Sequence, residues 1–185
     1  DALFSATQPT EMNSSPGDFR QSLRSVLAVA SPEERLMRLA ELSQTRLGFL
    51  ETIQIDNALR QIPEVDAAGF SRVRLAILSS CTIDHLLPAI RVGGLRRRIR
   101  FNLYKGAFGQ YRQELLDPES PLRVFGPDIV LLSLTARETI AGVAVGATVE
   151  EAESAVTRVT DELSMLWRTA RNDCGALVIQ QSFLD

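Results

Sequence analysis

Two short polar stretches hold the side chains best suited to chemistry. The first is Ser79-Ser80-Cys81-Thr82, with His85 one helical turn beyond the cysteine. A thiol and an imidazole at that spacing can share a helix face and act as nucleophile and base. A thiol at a helix N-terminus is also more acidic than a free one. The Thr82 hydroxyl and nearby backbone N–H groups could hold an anion. The competing reading is that the hydroxyls cap the next helix, Cys81 packs as a small apolar group and His85 is an ordinary histidine.

The second stretch runs from Tyr104 to Asp117, Tyr-Lys-Gly-Ala-Phe-Gly-Gln-Tyr-Arg-Gln-Glu-Leu-Leu-Asp. Gly106 and Gly109 permit close backbone approach or an oxyanion-type N–H. Gln110, Tyr111, Gln113 and Glu114 bring amide, phenol and carboxylate groups that can orient a polar ligand. Against this stands a helix start that caps itself and buries Tyr111. Ser133, Thr135, Arg137 and Glu138 form a third polar group. Arg91, Arg96, Arg97 and Arg98 make a local basic run that could meet a phosphate or an acidic partner. It also suits the carboxyl end of a helix dipole.

These groups share one feature. Each of the three polar stretches follows a predicted strand, at the edge of a parallel sheet where α/β proteins place ligands and nucleophiles. The expected strands are Val73–Leu78, Ile99–Tyr104, Asp128–Leu134 and Ala176–Gln181. They alternate with helices over Ile83–Arg97, Gly109–Leu116 and Thr148–Ala170, the last with Val149, Val156, Leu163 and Leu166 facing inward. Near-continuous apolar strands separated by helices predict a parallel sheet with helices on both faces. Ser31-Pro32-Glu33-Glu34 is a helix start. Residues 18–70 are expected as a helical lead-in, residues 1–17 as a flexible linker, and 71–185 as the α/β domain. The expected fold class is a three-layer α/β/α arrangement of flavodoxin-like type, preceded by helices.

Composition narrows the function classes. The chain has 185 residues, 45% hydrophobic, with a formal net charge of -3. That charge gives no global pull toward nucleic acid or membrane. No apolar run approaches the ~20 residues needed to span a bilayer. Two cysteines, Cys81 and Cys174, make no disulfide framework, and with one histidine a structural zinc site is not expected. A reduced, cytoplasmic setting is the default. The chain begins at Asp1 rather than Met and stops just after its fourth strand, so further sequence beyond Asp185 is expected.

Several segments resemble the N-terminal region of FkbH-like proteins: Thr45–Asp56, Leu78–Arg91, Gly109–Pro118 and Phe125–Leu132. The Gln110-Tyr-Arg-Gln-Glu-Leu-Leu-Asp-Pro118 string is the most specific of them, and the likeness spans roughly residues 35–185. Such proteins pair an SGNH-hydrolase-like domain with a C-terminal haloacid-dehalogenase-like domain. The resemblance implies a role in polyketide or nonribosomal biosynthesis. There the C-terminal domain takes a glyceryl unit from 1,3-bisphosphoglycerate, removes phosphate and passes the unit to an acyl carrier protein thiol. The implied partners are that carrier, through its phosphopantetheine arm, and the haloacid-dehalogenase-like domain; a homodimer is a further possibility. Mg²⁺ is expected only in the partner domain, and no cofactor or metal in this one.

Within the SGNH pattern, Ser79-Ser80-Cys81 stands at the Gly-Asp-Ser block, with Cys81 at the nucleophile position. Gly106 or Gly109 would be the block-two glycine. No Gly-x-Asn follows the third strand, and no Asp-x-x-His lies downstream. The resemblance therefore implies a scaffold that does no hydrolysis, with Arg91, Arg96, Arg97 and Arg98 as carrier contacts. An acyl or thioester hydrolase acting through Cys81, Ser79 or Ser80 is the alternative.

Overall fold

The computed structural model describes residues 16–139, 143, 144 and 146–182. The expected linker lies outside the described residues up to residue 15. The chain divides into two compact units. One holds the chain up to Phe70 together with Leu86–Ile99; the other holds Ser71–His85 and the chain from Arg100 onward.

The first unit is helical: α1 (Pro16–Leu27), α2 (Pro32–Ser43), α3 (Phe49–Arg60) and α4 (Leu87–Leu95). Helix α2 starts as its sequence dictates, with Pro32 in the first turn and the Ser31 hydroxyl accepting from the Glu34 N–H, which satisfies one of the donors a helix start leaves open. Leu36, Leu39, Ile55, Leu59 and Leu95 are buried together in one core. Asp56 sits in this unit at 3% exposure and is met by the Arg91 guanidinium at 3.0 Å. Arg96 donates to the carbonyls of Ser43 and Thr45. It thereby closes the carboxyl end of α2, where the last carbonyls lack partners within the helix. Arg98 takes a left-handed backbone, φ 56°, just past α4, and its guanidinium lies over the Phe70 ring.

The second unit carries the sheet: β1 (Ser71–Ser79), β2 (Ile99–Lys105, its first residue at the boundary), β3 (Ile129–Ser133) and β4 (Leu177–Gln180), in the order β2-β1-β3-β4. The fold is α/β with a four-stranded parallel sheet, as the alternating strands and helices imply. Leu75 pairs with Ile129 and Ile129 with Leu177, so apolar side chains line up in rows across β1, β3 and β4. Helices α5 (Tyr111–Leu116), α6 (Pro121–Phe125), α7 (Ala136–Thr139) and α8 (Val149–Asp173) complete the unit. Ala76, Leu78, Val130 and Leu132 from the sheet pack with Tyr111, Leu115, Leu122 and Leu166.

Three expectations need correction. Helix α4 starts at Leu87 rather than at Ile83, because Ser80 and Thr82 do not cap it: its N-cap is Leu86, with no side-chain hydrogen bond, and Pro88 stands in its first turn. The segment between β1 and α4 is a turn. Helix α8 begins after Thr148 through a reciprocal capping box with Glu151, yet Val149 and Val156 are exposed while Ala155, Leu166 and Ala170 are buried. Only part of the inward face expected for α8 is therefore covered by the core. Helix α6 was not expected; Ser120 caps it, Pro121 opens it, and Gly126 ends it with φ 60°, where only glycine enters the left-handed region without strain.

The Asp56–Arg91 pair makes a direct prediction. Removing one partner of a buried pair leaves an uncompensated charge, so Arg91→Ala should cost roughly 3 kcal/mol in urea unfolding. The exposed Arg97, just past α4, donates to the Gly93 carbonyl of that helix, and its replacement by alanine should cost less than about 0.5 kcal/mol.

Candidate functional site

The carboxyl end of β1 is tied down by hydrogen bonds. The Ser80 N–H donates to the Ser133 carbonyl at 3.1 Å, and the Thr135 N–H donates to Ser80 Oγ at 2.9 Å. The Ser80 hydroxyl reaches Thr135 Oγ1 at 3.5 Å. The Ser79 hydroxyl donates to the Cys81 carbonyl at 3.0 Å. Both serines are buried, and both hydroxyls hold the turn in shape. Cys81 is a free, half-buried thiol, and Thr82 is exposed. Because α4 starts at Leu87, Cys81 does not sit at a helix N-terminus, nor do Cys81 and His85 share a helical face. His85 is exposed. Among the described residues no hydrogen bond joins the two side chains.

The glycines of the second stretch are also committed. The Gly106 N–H donates to the Ile77 carbonyl and the Gly109 N–H to the Ser79 carbonyl, each at 3.0 Å. These bonds occupy the two N–H groups considered for an oxyanion hole. Gly109 has φ 70°. Gly106 is packed so closely that a Cβ there would stand 2.6 Å from Leu78 Cδ2.

Beyond Gly106 the chain bounds a cavity of about 550 Å³, lined in part by Tyr104, Gly106, Phe108, Gln110, Gln113 and Glu114. A smaller cavity of about 110 Å³ is lined by Ser79, Cys81 and Thr82 and shares Lys105, Gly106 and Phe108 with the larger one. Gly106, Gln110, Gln113 and Glu114 thus come together in one place, and Cys81, Ser79 and Thr82 in the space beside it. Tyr111 lines neither; it is 2% exposed and belongs to the core. Arg91, Arg96, Arg97 and Arg98 belong to the helical unit. The side chain of Glu138 falls outside the described residues.

In the larger cavity a polar contact joins Tyr104 to Glu114. The phenol lies 2.8 Å from each carboxylate oxygen and donates to them. Its far face stacks on Phe125, with ring centroids 5.3 Å apart. Burial first, and then the hydrogen bond and charge of Glu114, push the Tyr104 phenol well above its ordinary value. Glu114 itself is 8% exposed. Helix α5 is positioned by Ser120, whose hydroxyl donates to the Glu114 carbonyl at 2.7 Å, and by Arg112, which pairs with Glu162 on α8. That Arg112 hydrogen bond holds the Glu162 carboxyl below the usual range. At the rim, Lys105 Nζ meets Asp84 at 2.7 Å, and this lysine holds the Asp84 carboxyl down. Tyr104, Lys105 and Phe108 escaped the sequence reading as site residues. The available signal was a strand-final tyrosine whose hydroxyl needed a partner once half-buried.

No protein-family model and no curated protein matches the chain. Among solved structures, the crystal structure of the N-terminal part of the protein BF1531 from Bacteroides fragilis, described as containing a phosphatase domain complexed with Mg, is similar in fold. The TM-score is 0.56 at 17% identity, over 76% of this chain and 34% of that one. This chain therefore spans about a third of that neighbour's length. Among the described residues no helix is long and apolar enough to cross a membrane, and no group of three or more His, Cys, Asp or Glu side chains could hold a metal ion.

Two outcomes follow for the site. Gly106→Ala forces the buried Leu78 to move and should cost about 1–3 kcal/mol, read as a lowered urea midpoint. The Tyr104 phenol is held protonated in the fold, so its pKa is raised above the unfolded value of about 10. Its contribution is complete below that pH and is lost as pH rises toward the folded value, since the native state then binds more protons than the unfolded one. Alkaline unfolding followed by circular dichroism should show this loss, and Tyr104→Phe should flatten it.

Proposed function

We propose that this chain is a non-catalytic α/β domain that accompanies a phosphatase-type domain in an FkbH-like protein. In this reading the partner domain, with its Mg²⁺, loads a glyceryl unit from 1,3-bisphosphoglycerate onto an acyl carrier protein. This domain supports the partner and docks the carrier. The observation that carries the proposal is the state of the turn after β1. Both serine hydroxyls are spent on holding the backbone, and the chain's one histidine is exposed at His85 with no hydrogen bond to Cys81 among the described residues. A hydrolase needs a nucleophile and a base within hydrogen-bond reach. The segment resemblance and the fold likeness to a chain that contains a phosphatase domain support the same reading.

The basic run enters the proposal in reduced form. Arg91 is engaged by Asp56 and Arg96 by backbone carbonyls. Arg97, with one bond to the Gly93 carbonyl, and Arg98, lying over Phe70, are exposed and form no ion pair among the described residues, so they are proposed to meet an acidic carrier by charge complementarity. The rival reading, an acyl or thioester hydrolase, draws on Cys81, whose thiol is free and lines the smaller cavity.

Intact-protein mass spectrometry tests the proposal. A holo carrier protein is incubated with 1,3-bisphosphoglycerate and either this chain or a longer protein that carries the phosphatase-type domain as well. Only the longer protein should add glyceryl mass, and Arg97→Glu with Arg98→Glu should slow that loading. Loading by this chain alone would overturn the reading, and so would loading by the longer protein that ignores both charge reversals.

A further inference from the structure

The larger cavity holds a buried carboxyl group that meets no lysine or arginine among the described residues. Glu114 is 8% exposed, and its carboxylate offers about four lone-pair sites. The Tyr104 hydroxyl supplies a single proton to them. No lysine or arginine among the described residues forms an ion pair with Glu114. Lys105, the cation on the same lining, is engaged by Asp84. Arg112, two residues before Glu114 on α5, is engaged by Glu162. A buried carboxylate held by one neutral donor is costly, and complementary positive charge relieves that cost.

The rest of the lining points the same way. Asp117 adds a second carboxylate to the cavity, and Gln110 and Gln113 contribute amide groups. Phe108 is 70% exposed at the rim shared by both cavities, and an exposed aromatic face attracts a cation. The ionisable groups facing the space thus sum to negative, which suits a cation and repels a phosphate.

We infer that this cavity is a binding site for a small organic ammonium group, which donates to the free lone pairs of Glu114 while its carbon chain lies along Phe108. Glu114 and Phe108 belong to the sheet-bearing unit, and Arg97 and Arg98, the residues proposed to dock the carrier, belong to the helical one.

The test is a titration of the ¹⁵N-labelled chain at pH 7 with ethanolammonium chloride, and separately with glycerol and with inorganic phosphate at matched ionic strength. Ethanolammonium should shift the amide resonances of residues 104–117 saturably, and glycerol and phosphate should not. Glu114→Gln keeps an oxygen acceptor for Tyr104 and should weaken ethanolammonium binding by about tenfold or more. Phe108→Ala, at an exposed position, should weaken it severalfold and guards against a folding defect in the first variant. The inference is overturned if phosphate or glycerol saturates these resonances while ethanolammonium does not. It is equally overturned if ethanolammonium binds both folded variants as tightly as the parent chain.

Discussion

The carboxyl end of β1 is fastened on both sides by backbone hydrogen bonds, and the site depends on that fastening. On one side Gly106 and Gly109 donate to the carbonyls of Ile77 and Ser79; on the other Ser80 donates to Ser133 and accepts from Thr135. Buried backbone groups must find partners, and here they find them in each other. The arrangement draws the stretch after β2 against the end of β1. It leaves Gly106 no room for a side chain beside Leu78 and opens the cavity beyond it. The same bonds engage the Gly106 and Gly109 N–H groups and the Ser80 hydroxyl.

A second layer of constraint sets what the cavity presents. The Tyr104 phenol is stacked on Phe125 and aimed at Glu114. Glu114 is carried by α5, whose place is fixed by the Ser120 hydroxyl, by the Arg112–Glu162 pair and by Tyr111 and Leu115 in the core. Packing, capping and one ion pair thus place a carboxylate at the wall of an open space. The alternation of roles along α5 is the reason: Tyr111 and Leu115 face the core while Gln110 and Gln113 stay exposed.

Much of the fold was legible in the sequence because it rests on local rules. The apolar runs of β1 and β3 and the cap at Ser31 each identify an element from a few neighbouring residues. What was not legible is where side chains spend their hydrogen bonds. Ser80 and Thr82 read as helix caps, yet the helix starts later, at Leu87, and Ser80 instead holds Thr135, distant in sequence. Arg91 reads as surface charge until Asp56 is seen beneath it. Gly106 and Gly109 read as free N–H donors, and the sheet claims both. Gln110, Gln113 and Glu114 fall together, as a helix start after a strand requires; Tyr111, in the same string, turns inward because its register on α5 points it to the core.

We propose that the Ser79–Cys81 turn is a structural clasp that does no chemistry. This is tested most directly by the turnover of p-nitrophenyl acetate and of an acyl-pantetheine thioester by the chain and by its Ser79→Ala, Ser80→Ala and Cys81→Ala variants. No saturable turnover is expected in any of the four proteins, with lowered thermal stability in the Ser80 variant. Saturable turnover by the parent chain that vanishes in Cys81→Ala, or in either serine variant while its fold is intact, would contradict it.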